Sequence, residues 1–238
     1  IVLVGKGVVY DTGGINLKPT GYLETMKSDM SGSAVVAGVM KALAENKIPA
    51  YVLAIIPATD NRPGQNAIVP GDVITMYNGA TVEIINTDAE GRLILADGLA
   101  FSEKFKPQLV FSVATLTGSA SRTFGSNVIA GMGNAKQHLD TLKKCGFEVG
   151  EKIAELPFWD EYGEELKSDF ADLKNLGGTS AGAISAGKFL EKFVKSPYIH
   201  LDIAGVSFLE KDDYYRKSGG TGTGIRLLYD FIKTLIDL

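Results

Sequence analysis

Apolar runs too short to be helices recur along this chain, and segments with helical periodicity separate them. Ile1–Val4, Tyr51–Ile56, Leu109–Ala114 and Tyr198–Ile203 are runs of this kind. A short, continuous apolar run between turn signals reads as a strand buried on both faces. Ser31 to Glu45 carries Val35, Val36, Val39, Met40 and Leu43 at helical spacing, and a second helix is predicted from about Glu90 to Lys104. Further helices are predicted near 135–145, 181–194 and 222–236, and a further strand at Asn127–Ala130. Val73–Tyr77 and Thr81–Ile85 flank Asn78-Gly79, a hairpin signal. Gly5 to about Gly21 reads as a glycine-broken loop. Alternation of this kind predicts an α/β fold: a mixed, largely parallel central sheet with helices on both faces, in three α/β/α layers.

The 238 residues have room for one large α/β unit, and residues 1–238 are expected to form a single domain. Apolar residues make up 45% and charged residues 22%, enough to bury a core. The net charge of −4 argues against a nucleic-acid surface, which needs a basic face. No apolar run reaches membrane-spanning length, so no membrane partner is expected. Cys145 is the only cysteine, which suits a reducing compartment, and the cytoplasm is the expected location. No signal-peptide pattern is read at the front, where the chain opens without Met on an apolar run. That reads as a domain cut from a longer protein, or as a processed product. His138 and His200 are the only histidines, so a His-rich zinc site is excluded and any catalytic metal must lean on carboxylates.

The unusual polar residues cluster just after strands. Lys6 and Asp11 follow the first, Asp88 and Glu90 follow the hairpin, Thr115 to Gly118 follow the Leu109 run, and Ala204-Gly205 follow the last. Ligands of open α/β sheets bind outside the carboxyl ends of strands, so these segments point to one crevice. Each acid also has a plain structural reading. Asp11 in Asp-Thr-Gly-Gly reads as a turn aspartate, Asp29 as a helix cap, and Thr87-Asp88-Ala89-Glu90 as a capping box. Taken singly, those readings are the better ones. Taken together, Asp11, Asp29, Asp88 and Glu90 would repel one another in a crevice unless positive charge sits between them. Two divalent ions would cancel that charge, and oxygen-rich sites suit Mn²⁺, Mg²⁺ or Zn²⁺.

Asn86 to Leu93, Asn-Thr-Asp-Ala-Glu-Gly-Arg-Leu, resembles the signature of the leucyl aminopeptidase (cytosol aminopeptidase) family. Val4-Gly5-Lys6-Gly7, Asp11-Thr12-Gly13-Gly14, Leu17-Lys18 and Lys27-Ser28-Asp29-Met30 resemble its upstream segments. The likeness continues through Ala171–Asn175, His200–Gly205 and Thr221–Leu228, and so covers essentially the whole chain. It implies a two-metal aminopeptidase acting on peptides with a free amino terminus and preferring Leu-like residues. Asp11, Asp88 and Glu90 would bind one metal, and Lys6, Asp11, Asp29 and Glu90 the other, with Mn²⁺ or Zn²⁺ expected. Asp11 and Glu90 would bridge the pair, with a water or hydroxide between the ions. Lys18 and Arg92 would be the catalytic residues outside the ligand set. Gly91, Arg92 and Leu116 would hold a bicarbonate acting as general base. Met26, Thr115, Gly118 and Ala204 would line the pocket for the first side chain. The family's additional amino-terminal domain is not in this sequence, and the full-length protein is expected to be a homo-hexamer.

Lys6 as a ligand must be neutral, and deprotonating an ordinary lysine at pH 7 costs roughly 4–5 kcal/mol. A divalent ion can supply that, so metal affinity should weaken as pH falls. Lys18 is expected to stay charged and to face a developing oxyanion. Arg92 either receives an anion at a helix start or neutralises nearby acids. His200, Cys145 and Trp159 read as packing residues. A narrower dipeptidase on the same centre and a DNA-binding role are the alternatives. A phosphate-binding NTPase is excluded because Gly5-Lys6-Gly7 lacks the required spacing and Ser/Thr.

Overall fold

Val2 and Val4 of the first strand, β1 (Val2–Gly5), join one apolar cluster and Leu3 joins another, and all three are fully buried. A strand whose alternate residues are buried on opposite sides must lie inside a sheet covered on both faces. The computed structural model, which describes residues 1–236, supplies that sheet.

After β1 the chain forms β2 (Gly7–Asp11), α1 (Ser31–Glu45), β3 (Leu53–Ile55), β4 (Ala58–Asn61) and the hairpin β5 (Val73–Thr75) and β6 (Thr81–Glu83). Then come α2 (Glu90–Ser102), β7 (Val110–Ala114), α3 (Gly118–Phe124), β8 (Ile129–Gly133), α4 (Lys136–Glu148) and β9 (Ile153–Glu155). The chain continues through β10 (Leu173–Lys174), α5 (Gly182–Glu191), β11 (Tyr198–Asp202), β12 (Phe208–Leu209), β13 (Gly219–Gly220) and α6 (Ile225–Ile236).

The main sheet runs β3-β1-β7-β11-β8-β9, parallel throughout except where β8 pairs antiparallel with β11. Helices α1, α4 and α6 pack on one face around Leu3, Phe111 and Phe231; α2 and α5 pack on the other around Val4, Leu95 and Phe189. The chain is thus a mixed, largely parallel α/β/α domain, as the alternation predicts. Among the described residues no helix is long and apolar enough to cross a membrane.

Several local expectations need correction. The Tyr51–Ile56 run forms only β3, at the sheet edge with β1 as its single neighbour, and Tyr51 and Ile56 are exposed. The Gly5–Gly21 segment is not all loop. Val8-Val9-Tyr10 make β2, which pairs in parallel with β4 and carries an irregularity between Val8 and Asp11. Its flanking glycines hid a β-branched core. The expected strand at Asn127–Ala130 lies further on, at β8. The second helix reaches its expected end: α2 runs to Ser102 and a 3-10 turn continues it through Phe105, after which Lys106, with φ +48°, turns the chain away. Cys145 is buried, but Trp159 is 65% exposed and stacks on Tyr162 instead of packing inside.

One close approach decides where the functional loops lie. A Cβ on Gly32, in the first turn of α1, would come within 2.0 Å of the Val113 carbonyl oxygen. One on Gly5 would meet Gly32 O at 2.7 Å. Glycine at both positions lets α1 start hard against the carboxyl ends of β1 and β7. The residues just before α1 therefore sit beside those just after β1 and β7.

His200 is fully buried in β11, with Nδ1 2.7 Å from Ser112 Oγ and Nε2 without a partner among the described residues. It is a core histidine, only half satisfied. Burial pushes its pKa down to about 3. The folded protein therefore stays unprotonated there while the unfolded chain takes up a proton near pH 6.5, so stability falls as pH drops through that value. Between pH 7 and pH 5 this single group should remove about 2 kcal/mol. Urea unfolding at the two pH values should show a loss smaller by about that amount in His200→Asn.

Candidate metal centre

Lys6, between β1 and β2, is fixed by its backbone: its N–H donates to Val113 O at 3.0 Å and its carbonyl accepts from Ser33 N–H at 2.9 Å. Its side chain crosses Gly91 in the first turn of α2, where a Cβ would approach Lys6 Cε to 2.5 Å. Only glycine leaves that path open. The buried Nζ then lies 2.8 Å from Asp29 Oδ2 and 3.0 Å from Glu90 Oε1, and donates to Thr115 O at 3.4 Å.

Asp11 ends β2. Its Oδ1 accepts from Gly13 N–H and Asn61 Nδ2, both at 2.8 Å, and its Oδ2 lies 2.8 Å from Lys18 Nζ. Gly13 and Gly14, at φ +90° and +67°, turn the chain so that Lys18 returns to the acids. Lys18 Nζ also lies 2.5 Å from Asp88 Oδ1. Asp11, Asp88 and Glu90 each offer one oxygen, all within 4.8 Å of one another.

The plain structural readings account for little here. Residue Met30, not Asp29, precedes α1, and no side chain caps that helix. Asp29 Oδ1 instead accepts from Thr115 Oγ1 at 2.6 Å. Thr87 and Glu90 form no capping box, since Ala89 precedes α2 without a side-chain bond. Thr87 Oγ1 donates to Gly13 O at 2.6 Å and accepts from Asn16 N–H at 2.9 Å. Only Asp11 keeps its turn bond, beside its other contacts.

Charge dominates this cluster. Asp11, Asp29 and Glu90 are buried, and Asp88 is partly exposed. Burial would lower the Lys6 pKa, but Glu90 and Asp29 outweigh it and hold the ammonium above the usual lysine range. Burial also works downward on Lys18, and bonds to Asp11 and Asp88 raise it. Burial pushes the Asp29 carboxyl up to about 6, against the pull of Lys6. It raises Asp88 too, in spite of Lys18, whereas at Asp11 the lysines outweigh burial and lower the pKa. Four carboxylates thus meet two ammonium groups, leaving net negative charge in a buried place. Among the described residues, Asp29 Oδ2 and Glu90 Oε1 face only the Lys6 ammonium and accept no other hydrogen bond. Buried oxygens left this way, in a cluster where Asp11, Asp88 and Glu90 bring oxygens within 4.8 Å of one another, fit divalent cations.

Arg92 lies in the first turn of α2, 5% exposed, with one guanidinium nitrogen donating to Asn175 O at 2.8 Å and Nε without a partner among the described residues. Burial lowers its pKa to about 10. Leu116 is nearby in the chain after β7, but its N–H already donates to Asp202 Oδ1 at 3.1 Å. Of the expected pocket residues, Thr115 touches Asp29, and Met26, in the turn before Asp29, is half-buried. Gly118 opens α3 and is exposed. The Ala204 N–H donates to Asp202 Oδ1 at 3.1 Å.

Three residues that the sequence reading did not single out organise the centre. Asn61 touches Asp11 and Glu90. Asn175 is fully buried, accepts from Ile85 and Asn86 N–H, and donates to Asn86 O, clamping the segment that carries Asp88. Asp202, buried and pushed up to about 6 by burial, ties the Leu116–Thr117 turn to Ala204. Asn61 was hidden because β4 is exposed and polar, so no apolar run marked it. A cavity of about 680 Å³ lies elsewhere, at the amino ends of the strands around Ile1, Leu53 and Leu109, and includes none of the acids.

The fold and the centre define an α/β domain with a carboxylate-rich site suited to divalent cations at the carboxyl ends of its strands. The chain belongs to the cytosol aminopeptidase family, whose catalytic-domain pattern matches residues 1–229. It is 49% identical over 236 residues to a probable cytosol aminopeptidase of Geobacter sulfurreducens, covering 99% of this chain and 48% of that protein. A probable cytosol aminopeptidase of Geotalea uraniireducens is 50% identical over 235 residues, covering 98% and 48%. The chain thus spans about half the length of these relatives. Among solved structures it resembles the bottromycin maturation enzyme BotP in complex with Mn, with TM-score 0.94 and 35% identity over 98% of this chain and 53% of that one.

Any cation entering between Lys6, Asp29 and Glu90 must displace the Lys6 proton, and below about pH 6 the Asp29 proton as well. Mn²⁺ affinity measured by calorimetry should fall about tenfold per pH unit from pH 8 to 6, and more steeply below 6. A pH-independent affinity would contradict that placement.

Proposed function

We propose that this domain is the catalytic part of a metal-dependent aminopeptidase, which removes single residues from peptides with a free amino terminus and prefers Leu-like side chains. The observation that carries this reading is the pair of buried oxygens, Asp29 Oδ2 and Glu90 Oε1, which among the described residues have only an ammonium before them. Family membership supports it. Asp11, Asp88 and Glu90 would hold one divalent ion, and Lys6, Asp11, Asp29 and Glu90 a second, Mn²⁺ or Zn²⁺. Such ions supply Lewis-acid polarisation of a carbonyl and a hydroxide nucleophile at neutral pH.

The chain's own residues do the rest. Lys6 gives up its proton and turns from counter-ion to ligand. Lys18 keeps its charge and, once Asp11 and Asp88 are neutralised by cations, is free to donate to the substrate carbonyl oxygen as it becomes an oxyanion. Arg92 carries an unpartnered Nε beside Gly91 and offers a place for bicarbonate as proton carrier. The Leu116 N–H would share such an anion with Asp202. Met26, Thr115, Gly118 and Ala204 would border the first side chain, and small residues among them leave room for a Leu-like group. In the whole protein we place the domain in a cytoplasmic homo-hexamer, on family membership alone.

The substrate must present its amine neutral, because every carboxylate here is spoken for. An α-amine loses its proton near pH 8, so deprotonation at pH 7 costs only about 1 kcal/mol. Leucine amide should be hydrolysed in the presence of Mn²⁺ and not after chelation, and N-acetyl-leucine amide should not be cut at all. Comparable kcat/KM for the two amides would point to a less discriminating amidase.

A further inference from the structure

We propose that Asn61 is a positioning residue that selects which oxygens of Asp11 and Glu90 are presented to metal. The inference rests on the metal-dependent reading above and adds a residue to it. Asn61 ends β4 directly opposite Asp11, its register partner across the β2–β4 pair. Its carbonyl oxygen accepts from both Thr12 N–H at 2.9 Å and Thr12 Oγ1 at 2.8 Å, so the backbone is pinned to the start of the Asp-Thr-Gly-Gly turn. From that anchor its Nδ2 reaches three acceptors: Asp11 Oδ1 at 2.8 Å, Thr87 O at 3.0 Å and Glu90 Oε2 at 3.2 Å.

The selection is visible atom by atom. On Asp11, Oδ1 is held by Asn61, and Oδ2 is the oxygen that meets Lys18. On Glu90, Oε2 is held by Asn61, and Oε1 is the oxygen that meets Lys6. The two oxygens that face the cations are therefore the two that Asn61 leaves alone. Asp11 and Glu90 are the acids common to both proposed ligand sets, so one side chain orients both shared ligands. The third bond, to Thr87 O, ties the same amide to the turn that carries Asp88.

A neutral amide suits this task. An NH₂ group donates to carboxylates without adding charge, so it orients them without competing for the place of a cation. A carboxyl group without such a partner turns freely about its last bond, because that torsion has no sharp minimum. Without Asn61, Glu90 Oε2 would lose its amide partner and Asp11 Oδ1 would keep only the Gly13 N–H, so the metal itself would have to order Glu90 and part of Asp11, at a cost in affinity. Partners that orient metal ligands typically matter by about 10–100-fold.

A cavity of about 210 Å³ borders Asn61, Gly14, Thr87 and Glu90. Truncating Asn61 extends existing space rather than opening a hole in the core, so the fold should survive.

The test is Mn²⁺ titration by calorimetry of the parent protein, Asn61→Ala and Asn61→Ser, with thermal unfolding of each after chelation. Serine keeps a polar group but is too short to reach either carboxylate. Both variants should bind Mn²⁺ about 10–100-fold more weakly while the chelated proteins unfold within a few degrees of the parent. The Mn²⁺ concentration for half-maximal leucine amide hydrolysis should shift by more than kcat falls at saturating Mn²⁺. Parent-like affinity in both variants would overturn the role of Asn61 and leave the metal-dependent reading standing. Failure of the parent itself to bind Mn²⁺ would overturn both.

Discussion

Four carboxylates brought together, three of them buried, set the terms for the rest of this molecule. Like charges that close cannot all stay ionised without compensation, and here two lysines provide it. Lys6 bridges Asp29 and Glu90, and Lys18 bridges Asp11 and Asp88. A buried pair of this kind is a poor source of stability, since desolvation offsets most of the attraction. On the function proposed above, its value is as a poised arrangement: the same oxygens would exchange an ammonium for a divalent ion. Burial raises Asp29 and the acids raise Lys6, so the protons that metal binding would displace are held on these two groups.

The fold delivers these groups through close backbone approaches. Gly5 and Gly32 let α1 begin against β1 and β7, which sets Asp29 beside Lys6 and Thr115. Gly91 lets the Lys6 side chain pass the first turn of α2 to reach Glu90. Gly13 lies where a Cβ would press on Asn16 O at 2.4 Å, and the turn it permits brings Lys18 back over Asp88. Around this frame, Asn61, Asn175 and Asp202 hold the loops without adding a cation. The arrangement depends on neutral amides and backbone as much as on the acids.

Much of the fold was legible because fully buried strands must be apolar on both sides. Val2 to Val4, Val110 to Ala114 and Tyr198 to Leu201 could hardly read as anything else. Elements that escape that constraint were misread. β3 is an edge strand and only half-buried, β4 is exposed and polar, and the short β2 is hidden among glycines. The acids of the centre were legible through convergence after strands and through family likeness. Asn61 was not, because an exposed strand ending in Asp-Asn-Arg looks like any solvated loop. Asp202 sat inside a recognised stretch, yet nothing in its sequence neighbourhood shows that it bonds Thr117, 85 residues away.

The proposed function requires divalent ions to bind among the acids with Lys6 turned from ammonium to neutral ligand and Lys18 released from its carboxylates. Anomalous diffraction from crystals soaked in Mn²⁺ at pH 8 tests it directly. The account predicts two Mn²⁺ peaks per chain, one bounded by Asp11, Asp88 and Glu90 and one by Lys6, Asp29 and Glu90, with Lys18 released from Asp88. Absence of both peaks, with each ammonium still seated on its carboxylates, would contradict it.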